Sequence, residues 1–220
     1  MLNKQKGNMY PFVTHTWNPI KGKCSHDCNY CYMKVYPQKK LHLVEKELND
    51  NLGQDNFIFV GSSTDMWSQS IPREWIERII AYCMVYPHNT YLYQTKNPLR
   101  YMEFCKPPKF VLGTTIETNR EDLIKLYSKA PTIENRVYWM MQLPNLVRKM
   151  VTIEPIMDFD LFELVTIIKN IKPEWVNIGA DSKGHNLPEP PKEKIFALIE
   201  ELKKFTEVKI KNNLKRITGA

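Results

Sequence analysis

Short apolar runs alternate with helical stretches along nearly the whole chain of 220 residues. Runs of β-branched, aromatic and aliphatic residues predict strands at 12–17, 57–61, 90–94, 110–115, 150–154, 175–179 and 208–211. Amphipathic spacing predicts helices over 72–85, 161–170 and 193–205. Such alternation is typical of βαβ units around a parallel sheet, so the predicted fold class is α/β. Because no Gly/Ser-rich linker interrupts the chain, we expect one domain over 1–220.

The composition excludes several classes of protein. With 43% apolar and 25% charged residues, the chain has the balance of a globular domain and not of a disordered or fibrous one. No run of 18 apolar residues occurs, and residues 1–7 lack the apolar core of a secretion signal. We therefore expect a cytoplasmic protein with no membrane partner.

Positive charge is concentrated near the two ends of the chain. Of the formal net charge of +7, residues 1–40 contribute seven lysines against one aspartate, and the basic C-terminal segment 203–216 contributes six Lys/Arg against one glutamate. Such a distribution attracts phosphates, which favours a nucleic-acid partner. The alternative, that these lysines only solvate the surface, stays open at this point.

Polar residues follow the predicted strands at the points where ligands of parallel α/β folds bind. These strand-end groups are Asn18, residues 62–65, residues 94–96, residues 114–117, Glu154 with Pro155, residues 181–182 and residues 211–213. Each of them could instead cap the helix that follows. Their recurrence after strand upon strand favours a binding site at this end of the sheet.

Three of the five cysteines, Cys24, Cys28 and Cys31, lie in a C-x3-C-x2-C run within the loop 18–32, after the first predicted strand. Clustered thiolates select a soft metal centre, either iron–sulfur or zinc, and suit a reducing compartment. Three cysteines around a [4Fe–4S] cluster leave one iron open to another ligand. The remaining two, Cys83 and Cys105, are interpreted as small buried apolar residues.

The alternative for the cysteine run is a structural zinc site of the Cys3His type, with His26 or His42 as the fourth ligand. His26 lies between two of the cysteines. In so tight a loop we expect its side chain not to turn inward, which disfavours the zinc site.

The pattern C-x3-C-x-aromatic-C, with Tyr30 as the aromatic residue, resembles the signature of the radical S-adenosylmethionine (radical SAM) superfamily. Residues 17–19, 61–67, 94–98, 112–117 and 152–155 resemble successive blocks of one mainly uncharacterised, phage-associated branch, related in pattern to spore photoproduct lyase. The resemblance spans roughly residues 12–213. It implies a partial (β/α)6 TIM-type barrel that carries a [4Fe–4S] cluster and S-adenosyl-L-methionine (AdoMet).

The resemblance also implies roles for individual residues. The three cysteines would ligate the cluster. AdoMet would be contacted by Tyr30 and Tyr32 on its adenine side, by Ser62, Ser63 and Asp65 at the methionine group, and by Thr115 and Glu117 at the ribose. For Glu154 two roles stay open, either contact with the ligand or pairing with a cation across the barrel.

Three other residues at the strand ends are candidates for contact with substrate. Lys96 and Lys211 could bind a phosphate or carboxylate, or be ordinary surface charges. Trp67 is the tryptophan best placed to stack on a nucleobase.

The implied activity is reductive cleavage of AdoMet to a 5′-deoxyadenosyl radical, with an external electron donor. The reaction class, a lyase-like or transferase-like modification, is left open, as are the catalytic residues. Our first hypothesis is modification or repair of a nucleic-acid base or nucleoside. The alternatives are a radical SAM enzyme for a peptide or small metabolite, and a non-catalytic iron–sulfur or zinc module that binds nucleic acid.

The chain departs from the superfamily pattern at two places. Ser62 and Ser63 stand where many members have a glycine pair, and no cysteine clearly matches the hydrogen-donating cysteine of the lyase. A lyase reaction is therefore not implied by the pattern alone.

Overall fold

The computed structural model describes residues 1–219, which fold around one large sheet. The strands are β1 (Asn3–Lys4), β2 (His15–Trp17), β3 (Ile20–Lys21), β4 (His42–Leu43), β5 (Phe57–Val60), β6 (Thr90–Thr95), β7 (Phe110–Thr115), β8 (Lys149–Ile153), β9 (Trp175–Ile178) and β10 (Glu207–Ile210). The α-helices are α1 (Arg73–Met84), α2 (Glu121–Lys125), α3 (Ile133–Gln142), α4 (Leu161–Ile171), α5 (Lys192–Lys203) and α6 (Lys215–Thr218). Short 3-10 helices cover Tyr32–Val35, Glu45–Asn49, Pro98–Glu103 and Asn212–Leu214.

The large sheet has eight strands in the order β1-β2-β5-β6-β7-β8-β9-β10. From β2 onward all neighbours are parallel, and only β1 runs antiparallel, against β2. These seven parallel strands are the seven predicted runs, and the α/β fold class is confirmed. Within residues 1–219 no pairing joins β2 to β10, so the barrel is open on one side.

The two faces of the sheet carry different layers. On one face, Ile58, Val60 and Tyr93 belong to the large apolar core that the helices cover. On the other face, Phe59, Leu92 and Met150 belong to a smaller apolar cluster. Because side chains alternate along a strand, this second face also bears the polar residues at the carboxyl ends of the strands. The interior of the barrel is therefore apolar at one end and polar at the other.

The first predicted strand starts three residues too early. Its residues Phe12 and Val13 are not in β2, because the chain makes a turn in which Val13 N donates to Tyr10 O at 3.0 Å. We call residues 5–13 the N-terminal strap. Its Phe12 ring packs edge-on against Trp175 of β9 with centroids 5.1 Å apart, and Lys209 of β10 lies over the same ring. The strap thus covers the side of the barrel where β2 and β10 do not meet.

The two cysteines outside the loop 18–32 differ in environment. Cys83 is fully buried in α1, as predicted. Cys105 is exposed, so its interpretation as a buried apolar residue is wrong. It lies in an irregular segment between the 3-10 helix Pro98–Glu103 and β7, where no apolar layer covers it. Among residues 1–219, no helix has the length and apolar character needed to cross a lipid bilayer.

Candidate functional site

The cysteine-bearing loop is closed at its base by a small hairpin. β3 and β4 pair antiparallel, with Ile20 opposite Leu43, and residues 22–41 form the excursion between them. Gly22 has φ +111°, and a Cβ there would lie 2.6 Å from Lys40 O, so only glycine fits this position. Farther out, Asn29 N donates to Tyr127 O at 2.7 Å, which ties the excursion to the segment after α2. We call residues 22–41 the cysteine excursion.

A cavity of about 590 Å³ lies between the cysteine excursion and the carboxyl ends of the parallel strands. Of the eleven residues that the sequence assigns to cluster and AdoMet, ten line it: Cys24, Cys28, Cys31, Tyr30, Tyr32, Ser62, Ser63, Asp65, Thr115 and Glu154. Glu117 is the exception. The structure thus brings residues that are up to 130 positions apart in the sequence around one cavity, as expected for the strand ends of a parallel α/β fold.

All five cysteines are free thiols, and three of them face this cavity. Burial together with the nearby Asp65 charge raises the pKa of the Cys24 thiol to about 12, and burial raises the pKa of Cys31 as well. Cys28 Sγ lies 3.1 Å from Ser128 Oγ and 3.2 Å from Lys96 Nζ. The Lys96 ammonium therefore complements a negative charge on the Cys28 sulfur.

Behind this wall lies a buried ion network centred on Glu117. Its carboxylate is fully enclosed, with Oε2 2.7 Å from Arg136 Nη1 and Oε1 2.9 Å from Lys96 Nζ, and it accepts a hydrogen bond from the Tyr30 hydroxyl. Burial alone would raise the pKa of Glu117, but the Lys96 and Arg136 charges lower it to about 2. Glu117 therefore holds cations and a phenol, and does not reach the cavity where the ribose was expected.

The same charges set the protonation of the neighbours of Glu117. Burial would lower the pKa of Lys96, yet the charges of Cys28, Glu117 and Tyr30 raise it well above its usual value. Burial and the Glu117 charge raise the pKa of Tyr30 well above its usual value. Lys96, which also lies 4.6 Å above the Tyr30 ring, is thus a fixed cation and Tyr30 a fixed hydroxyl donor.

Asp65 joins three elements beside the cysteines. Its Oδ2 lies 2.8 Å from His26 Nε2 and accepts from the Thr95 hydroxyl at 2.7 Å and from Lys96 N at 3.0 Å. Burial alone would raise the pKa of Asp65, but the bonds from His26, Lys96 and Thr95 hold it below its usual value. His26 is 5% exposed, so the expectation that it cannot turn inward is wrong. It turns inward toward Asp65 of the neighbouring strand end.

The serine pair after β5 is held by the residue at the end of β2. Asn18 Oδ1 accepts from Ser62 Oγ at 3.1 Å and from Ser63 N at 2.9 Å. The hydroxyl of Ser63 is buried and has no hydrogen-bond partner. A buried hydroxyl without a partner is costly unless a ligand completes it, so Ser63 is a candidate ligand contact.

The floor of the cavity is formed by residues of the strap and of three strands. The Tyr10 hydroxyl lies 2.9 Å from both Gln94 Oε1 and Thr152 Oγ1, and Gln94 Nε2 donates to Thr115 Oγ1 at 3.1 Å. Burial raises the pKa of Tyr10 above its usual value. Sequence reasoning missed Tyr10, because a tyrosine ahead of the first strand carries no local signal that it enters the barrel.

Glu154 forms the part of the cavity wall that lies next to the strap. Its Oε2 lies 2.7 Å from Lys211 Nζ, and its Oε1 accepts from Asn213 Nδ2 at 3.1 Å and from Asn8 Nδ2 at 3.2 Å. Two roles were left open for Glu154. The structure shows the pairing with a cation, and Glu154 itself also faces the cavity. Lys211 is largely buried and is not the free surface charge that was the alternative. A Cβ at Gly179 would lie 2.8 Å from Glu154 Oε1, so a larger residue there has to displace this carboxylate.

Other candidate residues lie outside the cavity. Trp67 is fully buried, with Tyr101 and Tyr93 packed edge-on against it, so its expected role in base stacking is wrong. His42 is exposed and points to Lys40 O. Across the described chain, no three His, Cys, Asp or Glu side chains are arranged to hold a metal ion.

The donor set nevertheless fits the implied groups. Three free thiols face one cavity, which is the ligand chemistry of an iron–sulfur cluster with one open iron. In the same cavity the unpartnered Ser63 hydroxyl, the Thr115 hydroxyl and the Tyr32 ring supply polar and aromatic contacts of the kind that a nucleoside ligand needs.

Comparison with known structures shows the fold. A variant of spore photoproduct lyase superposes with a TM-score of 0.66 at 10% identity, covering 94% of this chain and 78% of the lyase. Another lyase variant, solved with bound AdoMet and dinucleoside spore photoproduct, gives 0.59 at 10% identity, over 91% and 64%. Native anSMEcpe with bound AdoMet and a peptide gives 0.52 at 12% identity, over 89% and 62%. The chain therefore has the TIM-type fold of radical SAM enzymes.

Sequence comparison gives the family. No curated protein matches the chain. One family model, described as "Protein of unknown function (DUF5131)", matches residues 35–195, starting just after the three cysteines. Since the match covers most of the chain, the protein belongs to the DUF5131 family.

Proposed function

We propose that this protein is a radical SAM enzyme that modifies or repairs a base of a nucleic acid or a nucleoside. The observation that carries the proposal is the convergence of Cys24, Cys28 and Cys31 on the wall of one cavity at the carboxyl ends of the parallel strands. A sealed structural metal site would not need an adjoining cavity of this size, whereas a reactive centre needs room for cofactor and substrate.

In this proposal the three cysteines hold a [4Fe–4S] cluster. When bound, the cluster and AdoMet supply a 5′-deoxyadenosyl radical, with an electron from an external donor. The protein's own side chains bind, orient and shield. Free thiols suit a reducing compartment such as the cytoplasm, where cysteines are kept reduced.

We assign the AdoMet contacts from the position of each side chain on the wall. Ser62, Ser63 and Asp65 lie nearest in the chain to the end of β5 and would face the methionine group. Tyr30 and Tyr32 would flank the adenine, and the Thr115 hydroxyl would contact the ribose. Glu117 is a positioning residue, since it acts on Lys96 and Tyr30 from behind the wall.

The choice of a nucleic-acid base as substrate is supported by the charges around the cavity. Its acidic side chains Asp27, Asp65, Glu154 and Asp181 each have a basic or histidine partner, at 2.9, 2.8, 2.7 and 2.7 Å. The lysines Lys6 and Lys183 line the same cavity with no carboxylate partner among residues 1–219. The uncompensated charge at the entrance is therefore positive, which favours a phosphate-bearing substrate over a neutral peptide.

Anaerobic reconstitution with iron and sulfide tests the proposal. The wild-type protein should bind about four irons per chain, as a cubane requires, and after reduction should convert AdoMet to 5′-deoxyadenosine. Cys28→Ala should lose both properties, and Cys105→Ala, which removes an exposed cysteine outside the excursion, should keep both.

Two outcomes would contradict the proposal. One is cofactor cleavage that survives in Cys28→Ala. The other is a colourless wild-type protein with one tightly bound zinc, which would identify a non-catalytic module instead.

A further inference from the structure

The outer part of the cysteine excursion exposes aromatic rings beside lysines. Tyr32 is 44% exposed and Tyr36 59% exposed. Lys34, Lys39 and Lys40 are exposed within the same nine residues. We call residues 32–40 the excursion ridge. Exposed tyrosines next to lysines are the combination that binds single strands, since rings stack on bases and ammonium groups contact phosphates.

Two of the three lysines of the excursion ridge are available to a ligand. Within residues 1–219, Lys39 and Lys40 have no carboxylate partner, and Lys34 shares Asp27 with two other lysines. The hydrogen bond from Lys23 N to Lys39 O, 2.9 Å long, brings a further lysine beside them. Asp27 is the only acidic residue between positions 18 and 41, so the ridge carries a strong net positive charge.

The excursion ridge is also held in shape by hydrogen bonds from its own side chains. Gln38 Nε2 donates to Met33 O at 2.8 Å and to Tyr36 O at 2.9 Å, closing the turn after the 3-10 helix Tyr32–Val35. The Tyr32 hydroxyl donates to Ser62 O at 2.6 Å, which fixes one end of that ring. A surface already held in shape loses less conformational entropy when a flexible strand binds to it.

The ridge is continuous with the candidate active site. Tyr32, Lys34 and Gln38 line the cavity itself, whereas Tyr36, Lys39 and Lys40 extend outward from it. The same cavity is lined by Lys6 of the strap and by Lys183 of the segment after β9. A strand that lies on the ridge would thus reach a cavity that carries further lysines.

We propose that the excursion ridge is a binding platform for single-stranded nucleic acid, which presents one unpaired base to the cavity. Lys39 and Lys40 contact successive phosphates, and the Tyr36 ring stacks on a base outside the cavity. This inference rests on the proposed function for what happens to the base. The binding it describes is measurable without turnover.

Fluorescence anisotropy of the reconstituted full chain with a labelled 15-nucleotide single strand, and with the blunt duplex of the same sequence, tests the platform. The wild type should bind the single strand more tightly than the duplex. Tyr36→Ala should weaken binding to the single strand by roughly 5- to 150-fold, the range for one lost base–aromatic stack, and leave the salt dependence unchanged. The matched control Tyr138→Ala removes a comparably exposed tyrosine, on α3, and should bind as the wild type does.

A double variant, Lys39→Ala with Lys40→Ala, tests the phosphate contacts. The slope of log affinity against log salt concentration should become shallower by about 1.4, since each phosphate contact on a single strand contributes about 0.7. The matched control is Lys203→Ala with Lys204→Ala, an adjacent pair at the end of α5 that removes the same charge. Its slope should equal that of the wild type.

Three results would overturn the inference. One is equal loss of slope in the two lysine pairs, which would mean that net charge alone binds the strand. Another is wild-type affinity in Tyr36→Ala. The third is displacement of the strand by a polyglutamate peptide at equal charge concentration, which would identify an acidic peptide site. Failure of the wild type to cleave AdoMet would refute the proposed function separately, because the binding assay does not depend on it.

Discussion

Two neighbouring strands of the sheet, β7 and β8, are each followed by a glutamate near the cavity. The two glutamates have different surroundings and different roles. Glu117, after β7, is fully buried between Arg136, Lys96 and Tyr30 on the cysteine side. Glu154, after β8, faces the cavity on the open side and holds Lys211 and the strap. One carboxylate lies behind the wall and the other is part of it.

The difference follows from what covers each strand end. The end of β7 lies under α3 and the cysteine excursion, so Glu117 is sealed and must be neutralised by buried cations. The end of β8 lies near the open side of the barrel, where its partners come from β10 and from the N-terminal strap. An acidic residue after a parallel strand is therefore either sealed behind the cavity wall or exposed on it, according to the layer above it.

The largest expected effect is that of removing the charge of Glu117. Glu117→Gln keeps the shape but leaves Arg136 and Lys96 buried without an anion, so the free energy of unfolding should fall by about 3–5 kcal/mol. Urea unfolding of the apo-protein measures it. Glu45→Gln, which breaks the exposed pair with Arg78, is the control and should give no measurable change. A loss in Glu117→Gln no larger than in the control would contradict the comparison.

The same glutamate should determine part of the acid sensitivity. Since folding lowers the pKa of Glu117 from 4.5 to about 2, its contribution to stability is complete above pH 4.5 and is lost as the pH falls toward 2. The stability difference between the wild type and Glu117→Gln should therefore shrink over this interval. Unfolding midpoints at pH 6, 4 and 3 measure it, and a difference that is constant down to pH 3 would show that the charge of Glu117 is not the cause.

A smaller effect is expected on the open side. Glu154→Gln weakens charge-assisted bonds to Lys211, Asn213 and Asn8, so the free energy of unfolding should fall by about 1–3 kcal/mol. Because Asn8 belongs to the strap, limited proteolysis should also cleave within residues 5–13 faster than in the wild type. Glu117→Gln is the control for this experiment, and its strap should be cleaved no faster than that of the wild type when the two proteins are compared at equal free energy of unfolding. Faster cleavage of the strap in both variants would contradict the distinction between the two sides of the cavity.

The sequence predicts those parts of the molecule that depend on local pattern. The seven parallel strands follow from apolar runs, and ten of the eleven assigned site residues line the cavity because strand ends of a parallel sheet converge. The spacing of the three cysteines places them in one loop whatever its detailed path.

The remaining features depend on contacts between distant segments. Trp67 looks like a stacking residue by its position after β5, but Tyr93, Tyr101 and Phe104 enclose it from β6 and the segment that follows. Arg136 neutralises Glu117 from the middle of α3, a helix that the sequence analysis does not predict. The strap enters the barrel through contacts with β9 and β10, some 165 to 200 positions away in the chain.

The glycine at position 179 has a consequence for how new specificities could be engineered. A methyl group there would lie 2.8 Å from Glu154 Oε1 and 3.0 Å from Asn213 Oδ1, so a larger residue at the end of β9 has to displace these two side chains. Libraries aimed at altered substrates should therefore start with Ser182 and Lys183, two exposed residues that border the same chamber.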